Sequence, residues 1–295
     1  MDPLVIVFGF GVGILIGLTG IGGGSLMTPL LILVIGVPPV VAIGTDLAYG
    51  AVTKTVGGWR HLRKGTVDLG LSTWLAVGSV PGALGGVVAV DRLHAAYGNS
   101  FDTVLLTCLA GALLLVAGAT LVRALLMPGL VARERDTVHL AGRGRAAAVA
   151  IGLLLGAILG LTSVGSGALI GFALILFFRL TPRRVVGTDV FHAAVLLWVA
   201  GLAHLVAGNV DLALMGTILL GSIPGVWIGA SLIDRVPADA LRPALGCVLL
   251  GSALGVATKA GVALPAWGIL GPPLAAGALA WALHRVRAQP TTARA

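Results

Sequence analysis

Four ionisable residues stand inside apolar stretches of the chain: Asp46, Lys54, Asp189 and His192. The two acids close the same tripeptide, Gly-Thr-Asp, at 44–46 and 187–189. A carboxylate placed in hydrocarbon costs several kcal/mol unless it is paired or hydrated, so each Asp is a candidate for substrate or proton handling. The plainer alternative is that each one ties down a neighbouring broken helix. Thr45 and Thr188 precede the acids and can hydrogen-bond either a ligand or the backbone. Lys54 lies eight residues beyond Asp46, about 80° away around a helix and roughly 12 Å along it, too far for a simple pair. It either offers a cation to an anion or stretches to the polar boundary beside Arg60. His192 follows Asp189 by three residues and shares its helix face. It can relay protons, hold a ligand, or simply satisfy a helix interface.

Two glycine-rich breaks must position these groups. The first reads GLTGIGGGSLMTP over 17–29 and the second GLTSVGSGALIGF over 160–172. Glycine in a helix interior costs about 1 kcal/mol relative to alanine, so clusters of it unwind helices. Unwound backbone at membrane depth must find partners in protein or in a water-filled cavity. Thr19, Ser25 and Thr28 can supply some, and Ser25 can cap the restarting helix. A helix N-terminus facing a cavity, with free N–H groups and roughly half a positive charge, is an anion site.

Composition fixes the surroundings. Only 10% of the 295 residues are charged and 58% are hydrophobic, with mean hydropathy +1.06. A soluble domain carries about 25% charged residues, so this chain cannot wet its surface. Its many helix-like apolar segments exclude a β-barrel pattern. Glycine repeats at 9/13/17, 78/82/86, 152/156/160 and 225/229 suit closely packed membrane helices. The net charge of +8 sits in short loops, which is the positive-inside pattern and not a nucleic-acid surface. Cys108 and Cys247 fall inside apolar segments and suggest neither a disulfide nor a metal. The start, MDPLVIVFGF, lacks a basic region and reads as the first span.

The chain is duplicated. A shift of 143 positions places Gly17-Leu18-Thr19 on Gly160-Leu161-Thr162 without a gap. The same register aligns Pro39 with Pro182, His61 with His204, and Val67-Asp68-Leu69 with Val210-Asp211-Leu212. Lys54 has no counterpart in the second half, where Leu197 stands. The expected segments are 3–20, 22–36, 40–60, 67–90 and 101–126, then 146–163, 166–178, 184–207, 210–233 and 240–258, with an extra one at 264–284. The second of each half is too short for a span of about 20 residues, so the first two form a hairpin of broken or re-entrant helices. Arg60, Arg63 and Lys64 follow the third segment, whereas Arg179, Arg183 and Arg184 precede its copy. The two third segments therefore run in opposite directions, and the N-terminus is expected outside with the C-terminus inside. The linker, with Arg133, Arg135, Arg143 and Arg145, and the tail, with Arg285, Arg287 and Arg294, agree.

Enzymatic motifs are missing. GIGGGS lacks the Gly-Lys-Ser/Thr of a phosphate loop, there is no HExxH, and Glu134 is the sole glutamate. The chain is not expected to be an enzyme, and no cofactor or metal is expected. The run GLTGIGGGSLMTPLLILVIGVPPVVAIGTDLAYGAVTK, followed by WRHLRKGTVDLGL, resembles the TauE/SafE sulfite exporter family. The copy GLTSVGSGALIGFALILFFRLTPRRVVGTDVFHAAV fits more loosely. The resemblance implies a carrier of small sulfur-containing or organic anions such as sulfite, sulfoacetate or related sulfonates. Many members have Asn where this chain has Asp46, which makes proton coupling more plausible. Ser163 and Ser166 replace glycines, so the half-sites differ.

These readings predict an all-α polytopic membrane protein: a first repeat over 1–126, a cytoplasmic linker over 127–145, a second repeat over 146–258, and an extra helix with a basic tail over 259–295. The two repeats are inverted, an arrangement common in secondary transporters. The substrate site is expected near the midplane between the breaks. Thr19, Gly22, Gly23, Gly24 and Ser25 line one side, and Thr162, Ser163, Gly165, Ser166 and Gly167 the other. Thr45, Asp46, Thr188 and Asp189 stand close by, with Lys54 and His192 as charge or coupling groups. The expected partners are a small anion and the lipid bilayer of a bacterial inner membrane, with no nucleic acid and with a homodimer left open. The expected direction is export. The rival is a cation or metal carrier using Asp46 and Asp189 as ligands.

Overall fold

The computed structural model describes residues 3–19, 24–126, 135–138, 140–232 and 238–288. Every regular element among them is helical. The first half holds α1 (Pro3–Thr19), α2 (Gly24–Leu30), α3 (Pro39–Arg63), α4 (Leu69–Tyr97) and α5 (Asn99–Leu126). The second holds α6 (Gly142–Thr162), α7 (Leu169–Leu176), α8 (Pro182–Val206), α9 (Leu212–Leu232) and α10 (Ala238–Lys259), and α11 (Ala266–Ala288) follows. The expected segments are all present, each within a few residues. The fourth runs on to Tyr97, because His94-Ala95-Ala96 continues the helix until Gly98 turns it at φ 52°.

Five described helices, α4, α5, α6, α8 and α9, are long and apolar enough to cross a membrane. The second segment of each half is short. α2 has 7 residues and widens into a π-helical turn over Leu31–Ile35, which Gly36 ends at φ 80°. α7 has 8 residues.

Glycine decides how the helices pair. Gly78, Gly82 and Gly86 of α4 meet the backbone at Val149, Leu153 and Ala157 of α6. Gly152, Gly156 and Gly160 of α6 answer at Leu75, Ser79 and Ala83. The same six contacts recur between α1 and α9. Gly9, Gly13 and Gly17 meet Ile218, Ser222 and Val226, while Gly221, Gly225 and Gly229 meet Ile6, Phe10 and Ile14. A Cβ on any of these glycines falls closer than 3.0 Å to a carbonyl oxygen of the facing helix. Residue numbers rise together across both interfaces, so each pair runs parallel.

The first helix of each half thus packs on the fourth helix of the other. Such reciprocity is the mark of a two-fold relation. The third helices meet across that axis. Gly50 touches Leu197, Gly57 touches Val190 and Gly201 touches Ala48, so α3 and α8 are antiparallel. An axis relating two antiparallel equivalents lies perpendicular to both.

The basic segments converge at one end of the bundle. Arg184 donates to the Val67 carbonyl at 3.0 Å. Arg135 exchanges backbone hydrogen bonds with Arg179 and Thr181, and the Val138 N–H reaches Asp68 Oδ2 at 2.9 Å. Arg63 lies 4.0 Å over the Trp59 ring and Arg145 5.0 Å over Trp74. Arg133 and Arg294 lie outside the described residues.

Candidate functional site

The Gly-Thr-Asp tripeptide splits its three residues among three tasks. At Gly44 the missing side chain admits the Asn209 carbonyl, and at Gly187 the Thr66 carbonyl. Thr45 Oγ1 accepts the Asp211 N–H at 3.0 Å, and Thr188 Oγ1 accepts the Asp68 N–H at 2.9 Å. Asp211 and Asp68 in turn cap α9 and α4 by accepting the N–H of Leu214 and Leu71. Each third helix therefore holds the loop that starts the other half's fourth helix. Thr45 and Thr188 spend their hydroxyls on backbone, which is the second of the two roles open to them in the sequence.

The third residue of each tripeptide turns to the centre. Asp46 is buried, 1% exposed. Its Oδ2 accepts from the Thr28 hydroxyl of α2 and, at 2.8 Å, from the Ser163 hydroxyl at the second break. Ser163 adopts φ 60°, a left-handed conformation that few side chains take, and ends α6 there. Asp189 accepts the backbone N–H of Gly167 at 3.1 Å. The two acids are thus tied to the second break from opposite halves of the chain. The second break turns on Ser163, on Gly165 at φ 135° and on Gly167 at φ 95°. Thr162 stays within it, bonding the Ile158 carbonyl and the Val164 N–H.

Lys54 does not reach the polar boundary. It is 7% exposed, and its ammonium donates to Ser166 Oγ at 3.0 Å. It feels both Asp189 and Asp46 electrostatically, yet among the described residues it makes no ion pair within 4.0 Å. Arg123 of α5 adds positive potential at Asp189. His192 turns from Asp189 to α4, with Nε2 3.1 Å from Ser79 Oγ and Nδ1 3.5 Å from Ser72 Oγ. His204 bonds the Gly160 carbonyl of α6, 44 residues away, and His61 the Thr66 hydroxyl five residues on, both structural contacts.

The first break is less fully visible. Gly22 and Gly23 lie outside the described residues, as does the side chain of Thr19. Ser25 does not cap α2, because the helix already begins at Gly24, and its buried hydroxyl has no partner among the described residues. Two residues missed from the sequence belong here. Tyr49, one turn beyond Asp46, is fully buried, and its hydroxyl faces that of Ser222 of α9. The 143-residue shift could have found them: it maps Tyr49 onto His192 and Ser222 onto Ser79.

Long apolar helices, glycine-packed interfaces and a polar centre buried between broken helices define a multi-pass helical membrane protein. A family model described as "Sulfite exporter TauE/SafE" matches residues 5–256. The chain belongs to that family. It is 39% identical over 254 residues to "Probable membrane transporter protein YjnA" of Bacillus subtilis, covering 86% of this chain and 99% of the relative. A second Bacillus subtilis protein, "Probable membrane transporter protein YdhB", is 30% identical over 247 residues, 82% of this chain and 94% of the relative. A "Probable membrane transporter protein" of Xylella fastidiosa is 26% identical over 271 residues, 90% of this chain and 99% of the relative. No solved structure matches the chain at a significant level.

Proposed function

We propose that this protein is a secondary transporter of a small sulfur-containing or organic anion, such as sulfite or a sulfonate, in a bacterial cytoplasmic membrane. The observation that carries the reading is Lys54: a buried ammonium held by one neutral hydroxyl at a helix break. Burying an ion costs several kcal/mol; Asp189 and Asp46 offset part of that cost at longer range, and a bound anion at Lys54 and Ser166 adds a direct partner. The Ser25 hydroxyl, without a partner among the described residues, stands ready as a further donor. Family membership and the relatives' printed names support the transporter class.

The antiparallel α3 and α8 support an inverted arrangement, because an axis perpendicular to two spans lies in the membrane plane. The convergence of Arg63, Arg135, Arg145 and Arg184 supports placing that end in the cytoplasm, with the N-terminus outside. Moving one negative charge outward gains about 2.3 kcal/mol per 100 mV with the inside negative, so export needs no ATP.

Uptake of labelled sulfite, sulfonates and carboxylates into liposomes holding the purified protein tests this directly. Saturable flux of one of these anions is expected. Flux of a metal or alkali cation instead, abolished by Asp46→Asn or Asp189→Asn, establishes the rival. Proton handling by the two acids predicts that the double Asn variant loses the pH dependence of transport; an unaltered profile rejects it.

A further inference from the structure

An open groove of about 530 Å³ lies on the flank of the bundle between α4 and α8, apart from both helix breaks. Its walls include Leu84, Val87 and Val88 of α4 and Val199, Leu202 and Val206 of α8, and Asp91 is its one ionisable lining residue. The two helices run parallel, because their contacts rise together in number. Asp68 meets Thr188, Ser79 meets His192, and Asp91 acts electrostatically on His204. Asp91 therefore stands at the end of the groove where α8 stops, at Val206. Leu84 lies two turns below it, about 10 Å along the helix. The walls suit the acyl chain of a lipid, and the acid stands at headgroup level.

Asp91 has no cation of its own. Arg92 follows it in the chain, yet among the described residues neither makes an ion pair within 4.0 Å. The duplication makes the contrast. The 143-residue shift maps Asp91 onto Asp234, which lies outside the described residues. It carries the lining residues Ala203, Val206 and Ala207 onto Arg60, Arg63 and Lys64. One half keeps three cations at the positions where the other has two alanines and a valine. The C-terminal end of α8 adds about half a negative charge beside the acid. An acid at the head of an apolar groove fits a cation carried on an apolar chain. An ammonium with N–H groups also gains a charge-assisted hydrogen bond, which a quaternary ammonium cannot make. An anionic headgroup is repelled. We infer that this groove holds a phospholipid whose headgroup ends in a primary ammonium, a phosphatidylethanolamine, with the ammonium on Asp91 and an acyl chain along Val87, Val88 and Val199.

Lipid retention tests this without any transport assay, so the outcome is independent of the carrier reading. Purified protein is offered phosphatidylethanolamine, phosphatidylcholine and phosphatidylglycerol with identical acyl chains in equal amounts, and retained lipids are counted by native mass spectrometry. Phosphatidylethanolamine is expected to be retained about threefold or more over each of the others, the size of a partly exposed ion pair. Asp91→Asn is expected to erase that preference. Asp102→Asn, which changes an acid on α5 outside the groove, is expected to keep it. Val206→Trp fills the groove from a position 90% exposed and is expected to lower phosphatidylethanolamine retention with Asp91 intact. Equal retention of the three lipids by wild-type protein overturns the inference. So does a preference that survives Asp91→Asn, one that Asp102→Asn erases equally, or a lipid-free dimer joined through the groove. The wild-type comparison stands by itself if a variant fails to fold.

Discussion

Lys54 of the first half donates its ammonium proton to Ser166 of the second half's helix break, 3.0 Å away and 112 residues along the chain. Neither position repeats its partner's chemistry: the 143-residue shift puts Leu197 opposite Lys54 and Gly23 opposite Ser166. A two-fold scaffold therefore carries a one-sided site, in which Lys54 acts on both Asp46 and Asp189 while Arg123 adds to the potential at Asp189.

Lys54→Leu copies the equivalent position of the other half. Removing the ammonium strips Asp46 and Asp189 of a cation that both feel, so the fold is expected to lose stability unless the acids take up protons. Anion flux is expected to fall about 100-fold, as for roughly 3 kcal/mol of lost interaction, with the melting temperature lowered by the stranded acids. Retained flux shows that the ammonium does not meet the substrate.

The glycine interfaces predict a matched pair of outcomes. Gly156→Ala and Gly13→Ala each push a methyl into the backbone of the facing helix, at Ser79 and at Ser222. Each is expected to destabilise by about 1–3 kcal/mol. Gly111→Ala and Gly118→Ala, on open stretches of α5, are expected to be neutral or slightly stabilising. Thermal unfolding in detergent reads all four, and equal behaviour of the two groups contradicts close backbone contact.

Thr45→Val and Thr188→Val remove equivalent hydroxyls that hold Asp211 and Asp68. Each leaves a backbone N–H without its acceptor and is expected to cost about 1 kcal/mol or more. The two costs should match, because the contacts are copies of one another. A loss of anion affinity in either variant with stability unchanged assigns that threonine to the ligand.

Orientation can be read with a membrane-impermeant thiol reagent. In a background where Cys108 and Cys247 are Ser, Lys64→Cys is expected to react only from the cytoplasmic side. Tyr97→Cys, exposed at the far end of α4, is expected to react only from outside. Reversed labelling inverts the proposed topology.

The helix plan was legible because it depends on local composition. Apolar runs of fixed length, glycine at four-residue intervals and loops of like charge leave one-dimensional traces, and the duplication doubles each one. The Gly-Thr-Asp repeat likewise announced a buried acid twice. What the threonine did was hidden, because a hydroxyl that binds a ligand and one that binds backbone look alike in a sequence.

Sequence alone determined that this chain lies in a membrane, that it is duplicated and that it breaks its helices at glycine. Tertiary structure decided which half completes which: α1 packs on α9, α6 on α4, and Lys54 reaches across to Ser166. Those choices depend on contacts between residues more than 100 positions apart, where close backbone approach and a shared buried charge outweigh any local preference.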